Sequence, residues 1–488
     1  MIKELNITKS DFLDYENCKK NFWLKKNKPK LFEEINLSEF ELKIIEEGNF
    51  VDKEIKHIFP DGIIVDIGEN SLRETIDEIN NFSTILQGSI ECKDFFIRFD
   101  VLQYNKNKDS WDLFEVKSSS SVKEENISDI TFQKIVAENS GIKINRLFIV
   151  HLNKNYKNEG SIDYDKLFVK SEVTSQVKSI EDSIRVKMNE IKNYLNSPEE
   201  KGCDCIYKSR SKHCSSFSYS NPDIKDNSIY ELNRISKKTI LDLIEKKELS
   251  LDNISDLSSL SKYQTLQLES YKSKSPIYNL NEIKEELNNL SFPLQFFDFE
   301  TFSNAIPRFE NMGSNDAVPI QFSNHILNID GSLDHREFIQ DKYSKNITIS
   351  LVESIVNNVF DQGTIICWYK PFEKRMLKRL IELYPEHSNF LENINNRIYD
   401  LMDIFSKGIY VDYKFQGSSS LKNVLPVLVP SLSYKNMNIQ DGAQAASEWE
   451  RMIFDNSVDS ENIKQNLLKY CSQDTLAMVE IYKFLRNL

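Results

Sequence analysis

Residues 292–302 read FPLQFFDFETF, two carboxylates set inside a run of aromatic side chains. In a strand the side chains of residues i and i+2 share a face, so Asp298 and Glu300 project side by side. Acids placed in a buried apolar strand are costly to desolvate unless they are paired or bind a metal. This stretch therefore predicts a core strand that ends in a carboxylate pair able to hold a divalent cation, or a strand end whose acids simply meet water.

The surrounding sequence extends that pattern. PLQFFDFET, PIQFSNHIL and GTIICWY read as strands, and PFEKRMLKRLIELY and QNLLKYCSQDTLAMVEIYKFL read as helices, which predicts a mixed α/β (α+β) domain from residue 291 to 488. In TIICWYKPFEKRML an apolar strand stops and a helix starts near Pro371. That puts Glu373 in the first helical turn, at the sheet edge where ligand sites form. In LLKYCSQDTLAMVEIY, Tyr470 and Asp474 are four apart and share one helical face. A carboxylate there can bind metal while the phenol one turn away positions a water. Two cations held by acids can stabilise both the attacking and the leaving oxygen of a phosphodiester, without a proton-transfer residue.

In this order, D-x-E after a strand, an acid at a strand-to-helix junction and Y-x-x-x-D in a late helix, the C-terminal part is similar to the DnaQ-like, ribonuclease H-like 3′→5′ exonucleases. The resemblance implies that Asp298, Glu300, Glu373 and Asp474 hold magnesium or manganese and that Tyr470 orients the attacking water. Lys469 stands where the histidine subtype carries its histidine. Most members have Asp where Glu373 stands, a departure of one methylene.

The N-terminal part carries a second set. FFIRFDVLQYNKNKDSWDLFEVKS, residues 95–118, reads as two strands around a polar turn near Asn107 and Lys108. Folded on that midpoint, Asp100 lies across from Glu115, and Glu115 shares a face with Lys117. This resembles the PD-(D/E)xK nucleases, in particular the RecB-like exonuclease branch. There an aspartate and an E-x-K strand bind metal, and the lysine steadies a water or the scissile phosphate. The resemblance adds Glu91 in GSIEC as the upstream acid and Gln133 in DITFQKIV as the glutamine of the following helix. The early histidine of the branch is missing: EEGNFVDKEIKH offers Asp52 near that place and His57 beyond it.

Of seven cysteines, Cys92, Cys367 and Cys471 stand alone and read as packing residues, whereas Cys203, Cys205 and Cys214 crowd into GCDCIYKSRSKHC. In a reducing compartment such clustering points to metal or reactive chemistry rather than disulfides. Some RecB-like exonucleases, CRISPR-associated ones included, hold a [4Fe-4S] cluster through one cysteine before the core and three after it. The resemblance accordingly implies Cys18, Cys203, Cys205 and Cys214 as ligands, clipping the two ends of the domain together. The C-x-C spacing is tight for zinc. An iron–sulfur cluster, zinc and no metal all stay open, with His213 as an alternative ligand.

The 488 residues exceed what one core supports, and 40% hydrophobic with 28% charged residues is ordinary for a soluble chain. A net charge of −13 excludes a generally basic coat but not a local basic groove. The opening residues lack a signal-peptide core and no run is long enough to span a bilayer, so a cytoplasmic protein without a membrane partner is expected. Taken in order, the parts resemble an uncharacterised bacterial family with a RecB-like domain at 1–218, a helical connector without strands at 219–290 and a DnaQ-like domain at 291–488. The function implied is metal-dependent hydrolysis of nucleic acid, DNA ahead of RNA, at two centres. The competing expectation is a nucleic-acid-binding scaffold with one centre active or neither. Trp23 and Trp449 could stack on bases, with packing as their other use.

Overall fold

The computed structural model describes residues 6–33 and 38–488, and it is a mixed α+β structure with two large sheets. The first has six strands in the order Ile63–Ile64, Ile85–Leu86, β1 (Val101–Asn105), β2 (Ser110–Lys117), β3 (Ile144–Leu152) and Phe168–Glu172. β1 and β2 form the hairpin expected at Asn107 and Lys108, with Val101 opposite Phe114. β2 is buried along nearly its whole length. It lies between β1 and the parallel strand β3, under the helices α1 (Glu39–Glu54) and α2 (Glu124–Asn139).

The second sheet has five strands in the order Leu333–Ile339, β5 (Val318–Leu327), β4 (Leu294–Phe302), β6 (Thr364–Cys367) and Ile398–Asp400. β4 runs antiparallel to β5 and parallel to β6. Phe297 and Phe299 pack on Met376, Leu377 and Leu380 of α3 (Lys370–Leu383). The opposite face is covered by the 27-residue helix α6 (Ser460–Arg486), whose apolar side meets Phe296. Glu300 pairs with Gln321 but Thr301 pairs with Pro319, so the register slips by one residue immediately after the second carboxylate. Proline cannot donate to the ladder, and a bulge at this point re-aims the strand end.

In chain order, helices Lys237–Glu245, Lys262–Ser273 and Leu280–Asn288 come between the strands of the two sheets. One expectation needs correcting here: Ile277–Tyr278 pairs antiparallel with Tyr410–Val411. A two-residue bridge is too short to leave a period in the sequence. α1 joins the two halves. Its Glu47 accepts hydrogen bonds of 2.7 Å from the Asn304 side chain and the Ala305 N–H, while Ala305 and Ile306 are buried with Val51, Ile55 and Phe114. Trp23 and Trp449 are core residues, not stacking platforms. Among the described residues no helix is long and apolar enough to cross a membrane.

Two candidate carboxylate centres and a cysteine centre

β4 delivers Asp298 and Glu300 to the face covered by α6, and α6 presents Tyr470, Cys471 and Asp474 to them from one side of the helix. Single ligand atoms of Asp298, Glu300 and Cys471 lie within 4.8 Å of one another. Cys471 is thus not a mere packing residue: its Sγ is 3.9 Å from the Asp298 carbonyl and from Oδ2. Glu373, only 2% exposed in the first turn of α3, faces the same pair, and its Oε2 has no partner.

Electrostatics tie the four acids into one centre. Burial, and then the Asp474 charge, raises Asp298 well above the carboxylate range. Burial with Asp298 and Asp474 does the same to Glu300, and burial with Asp298 and Glu300 does so to Glu373. Asp474 is raised by burial to about 6, a rise held back by the hydroxyls of Tyr434 and Tyr470 and by the Lys422 charge. Lys422 lies on α4 (Leu421–Leu428), its Nζ 5.8 Å from the Tyr470 ring and 6.0 Å from that of Tyr434. No acid of the four forms an ion pair among the described residues, and a buried cluster of like charges without a counter-ion demands a cation or protons. The donor set, all carboxylate oxygen apart from one thiol, suits magnesium or manganese.

The N-terminal centre is built differently. Asp100 accepts the Val116 N–H at 2.7 Å, and Glu115 takes Lys117 Nζ at 2.6 Å and Gln133 Nε2 at 2.6 Å. The hairpin thereby brings Asp100, Glu115, Lys117 and Gln133 together as expected. Two further members were not anticipated: Lys9, 2.8 Å from Glu115, and Asp129, bound by Lys117 and Gln133; Asp52 of α1, which stands near the place of the branch's early histidine, joins them, raised to about 6 by burial and by Glu115. Burial would raise Glu115, but the ammonium groups of Lys9 and Lys117 outweigh it and hold it below its ordinary value. Asp100, buried beside Glu115, is pushed well up.

Glu91 is the correction in this centre. It is exposed on Ser89–Cys92, in a separate three-stranded sheet, and lines a surface hollow with Leu72, Ile76 and Lys93. The strand 89–92 pairs with 95–98 and turns off before the centre, so order along the chain gave a false match. His57 is also outside, stacked on Tyr164 and 3.3 Å from Glu54.

The cysteines converge. One Sγ each from Cys18, Cys203, Cys205 and Cys214 lies within 4.8 Å of the others, with Cys203 and Cys214 3.9 Å apart. Thiol hydrogen bonds from Cys18 and Cys214, aided by Asn221, hold Cys203 down at about 2. Four sulfurs so placed are a ligand set for a metal. His213 stacks on Phe217 and reaches the Lys208 carbonyl, outside the sulfur group.

Residues 295–420 match a domain family described as a domain of unknown function, DUF2779. The matched stretch contains Asp298, Glu300 and Glu373 and stops before Tyr434, Tyr470 and Asp474. The chain is 26% identical over 249 residues to the uncharacterized protein MG366 of Mycoplasma genitalium, covering 45% of this chain and 36% of the relative. It is 25% identical over 310 residues to the uncharacterized protein UU173 of Ureaplasma parvum, covering 54% of this chain and 43% of that relative. The chain thus spans less than half the length of either relative.

Proposed function

We propose that this protein is a divalent-metal-dependent nuclease that hydrolyses phosphodiester bonds, of DNA ahead of RNA, and that its main centre is the C-terminal one with a DnaQ-like, ribonuclease H-like arrangement. The observation that carries this is the convergence of Asp298, Glu300, Glu373 and Asp474 without an ion-paired base. These residues would hold magnesium or manganese, which when bound supplies positive charge for the attacking and leaving oxygens of an in-line displacement. The rest falls to the chain itself. Tyr434 fixes the Asp474 carboxylate through a 2.5 Å hydrogen bond, and Tyr470, one turn before it, is placed to orient a water. Lys422, whose charge acts on Glu300 and Asp474, suits a substrate phosphate.

The N-terminal centre, with its RecB-like combination of Asp100, Glu115, Lys117 and Gln133, is the second nuclease centre on this reading. A specific observation favours a competing role in binding: Lys9 and Lys117 already neutralise Glu115, which lowers its demand for a cation. The cysteine centre is structural, tying the helix boundary at Cys18 to the loop at 203–214. A tetrahedral zinc site with bonds of about 2.3 Å has sulfurs about 3.8 Å apart. The 3.9 Å separation of Cys203 and Cys214 supports one such ion over the iron–sulfur cluster that the family resemblance implies.

The test uses end-labelled single- and double-stranded DNA and RNA with Mg²⁺ or Mn²⁺. Asp298→Asn is expected to reduce cleavage at least about 100-fold, a loss typical of removing one charge-stabilising group, and Asp100→Asn to remove what remains. If neither substitution lowers cleavage, the proposal fails. If the wild-type protein binds but never cuts, the scaffold reading replaces it.

A further inference from the structure

A cleft of about 770 Å³ lies where three parts of the chain meet: the cysteine-rich loop, the connector around residues 230–235, and the loop after Phe415. Its walls carry two guanidinium groups, Arg210 and Arg234, both exposed and neither paired with a carboxylate among the described residues. The one acid on the wall, Glu231, is buried and turned away to the Asn227 N–H. In a chain of net charge −13, this is a local positive surface.

The cleft also holds Tyr369, 52% exposed, and the hydroxyls of Ser418 and Ser420. Three of its non-glycine residues, Arg234, Tyr369 and Gln416, have positive φ values of 46°, 77° and 51°. Such backbone persists only where its surroundings enforce it, and it concentrates at functional sites. The enforcing contacts are visible. Asp400 accepts the N–H groups of Tyr369 and Lys370 at 2.9 and 2.8 Å, and a Cβ on Gly417 would strike the Glu231 carbonyl at 2.0 Å.

The cleft shares two helix starts with the C-terminal centre. Tyr369 immediately precedes α3, which carries Glu373, and Ser420 immediately precedes α4, which carries Lys422. The Trp368 indole N–H donates to the Ser419 carbonyl at 3.0 Å, which joins the two walls. Cationic side chains, hydroxyl donors and one exposed aromatic ring form the combination that takes phosphates and a stacked base.

We infer that this cleft seats the backbone of single-stranded nucleic acid next to the C-terminal centre, with Arg210 and Arg234 on phosphates and Tyr369 under a base. The inference rests on the nuclease reading for its direction but on the cleft for its chemistry. It gives the cysteine centre a second consequence, since Cys205 and Cys214 close the loop that carries Arg210.

The experiment measures fluorescence anisotropy of the full-length protein with a labelled 12-nucleotide phosphorothioate single strand, which resists hydrolysis, across a range of salt. Arg210→Gln/Arg234→Gln is expected to weaken binding at least about tenfold and to reduce the salt slope by about 1.4, from two lost phosphate contacts on a single strand. Tyr369→Ala is expected to weaken binding roughly fivefold with the slope unchanged. Hydrolysis of thymidine 5′-p-nitrophenyl phosphate, which needs only the carboxylates, is expected to stay at the wild-type rate in the double arginine variant.

Equal binding and equal slope in the double variant would overturn the inference. So would a wild-type protein that binds no single strand, or a loss of aryl-ester hydrolysis in step with binding. If the variants weaken binding while no protein hydrolyses the ester, the cleft stands and the nuclease reading falls.

Discussion

The phenol of Tyr434 donates a 2.5 Å hydrogen bond to Oδ1 of Asp474, across 40 residues of sequence and onto the face of the helix that meets Asp298. The bond fixes the one carboxylate of the C-terminal centre that comes from α6. Tyr434→Phe removes the donor and leaves the ring, so it is expected to lower turnover about tenfold with little change in folding. Steady-state kinetics with Mn²⁺ beside a thermal melt of the same variant checks this, and a variant as fast as wild type would show the bond to be idle.

Without metal, the C-terminal acids should make stability depend on pH in a definite direction. Their folded-state values are raised, so the folded protein binds more protons than the unfolded chain between pH 4 and the folded value. That stability is present in acid and is lost as pH rises. For Asp474 the rise from 3.8 to about 6 corresponds to about 3 kcal/mol, lost across pH 4–7. The melting temperature of metal-free protein is expected to fall from pH 5 to pH 8, less steeply in Asp474→Asn. Mn²⁺ should restore more at pH 8 than at pH 5, because it takes the place of the protons. Calorimetry at the two pH values measures both effects.

Glu373 occupies a position where most proteins of the resembling family carry aspartate. It is buried and its Oε2 has no protein partner, which leaves that oxygen open to a cation. Glu373→Asp withdraws the carboxylate by one methylene and is expected to reduce metal-dependent cleavage about tenfold, since displacement by a bond length is felt in a preorganised site. Titration of activity against Mn²⁺ concentration tests it, and an unchanged curve would mean the helix absorbs the difference.

In the N-terminal centre, Lys9 and Lys117 share the Glu115 carboxylate, which is 1% exposed. Lys9→Met leaves Glu115 with one cation in place of two and is expected to destabilise the protein by about 1–3 kcal/mol. The loss should persist at pH 3.5 and shrink only where folded Glu115, held well below its ordinary value, begins to take up a proton, because the unfolded chains of the two proteins titrate alike. Denaturant melts of both proteins at pH 7 and pH 3.5 measure it.

For the cysteine centre, metal analysis of protein as purified is expected to give one zinc per chain and little iron. Cys214→Ser should lower both the metal content and the melting temperature, the latter by at least about 5 °C. A brown preparation absorbing near 400 nm with about four irons per chain would reverse the assignment.

Much of each centre was legible locally, and the omissions share one cause. The alternation of a strand put Asp298 beside Glu300 and Glu115 beside Lys117, the hairpin midpoint put Asp100 across from Glu115, and the helical repeat put Tyr470 one turn from Asp474. Glu91 went astray because its place was taken from order along the chain rather than from a period. Lys9, Asp129, Tyr434 and Cys471 left no signal, since nothing in their own segments marks them out from solvated or packed residues.

The amino-acid sequence by itself determined which side chains share a face within one strand, hairpin or helix, because the backbone periods of 2 and 3.6 residues hold wherever the element forms. It also determined the mixed α+β character and the crowding of Cys203, Cys205 and Cys214, to which the family resemblance added Cys18. Only the tertiary structure decided which faces converge: that α6 closes over β4 with Asp474 toward Asp298, that α1 bridges the two halves through Glu47, and that one carboxylate centre has lysines ion-paired within it while the acids of the other form no ion pair among the described residues. The reason is that packing between elements is set by the summed fit of many apolar contacts far apart in sequence, which no local pattern records.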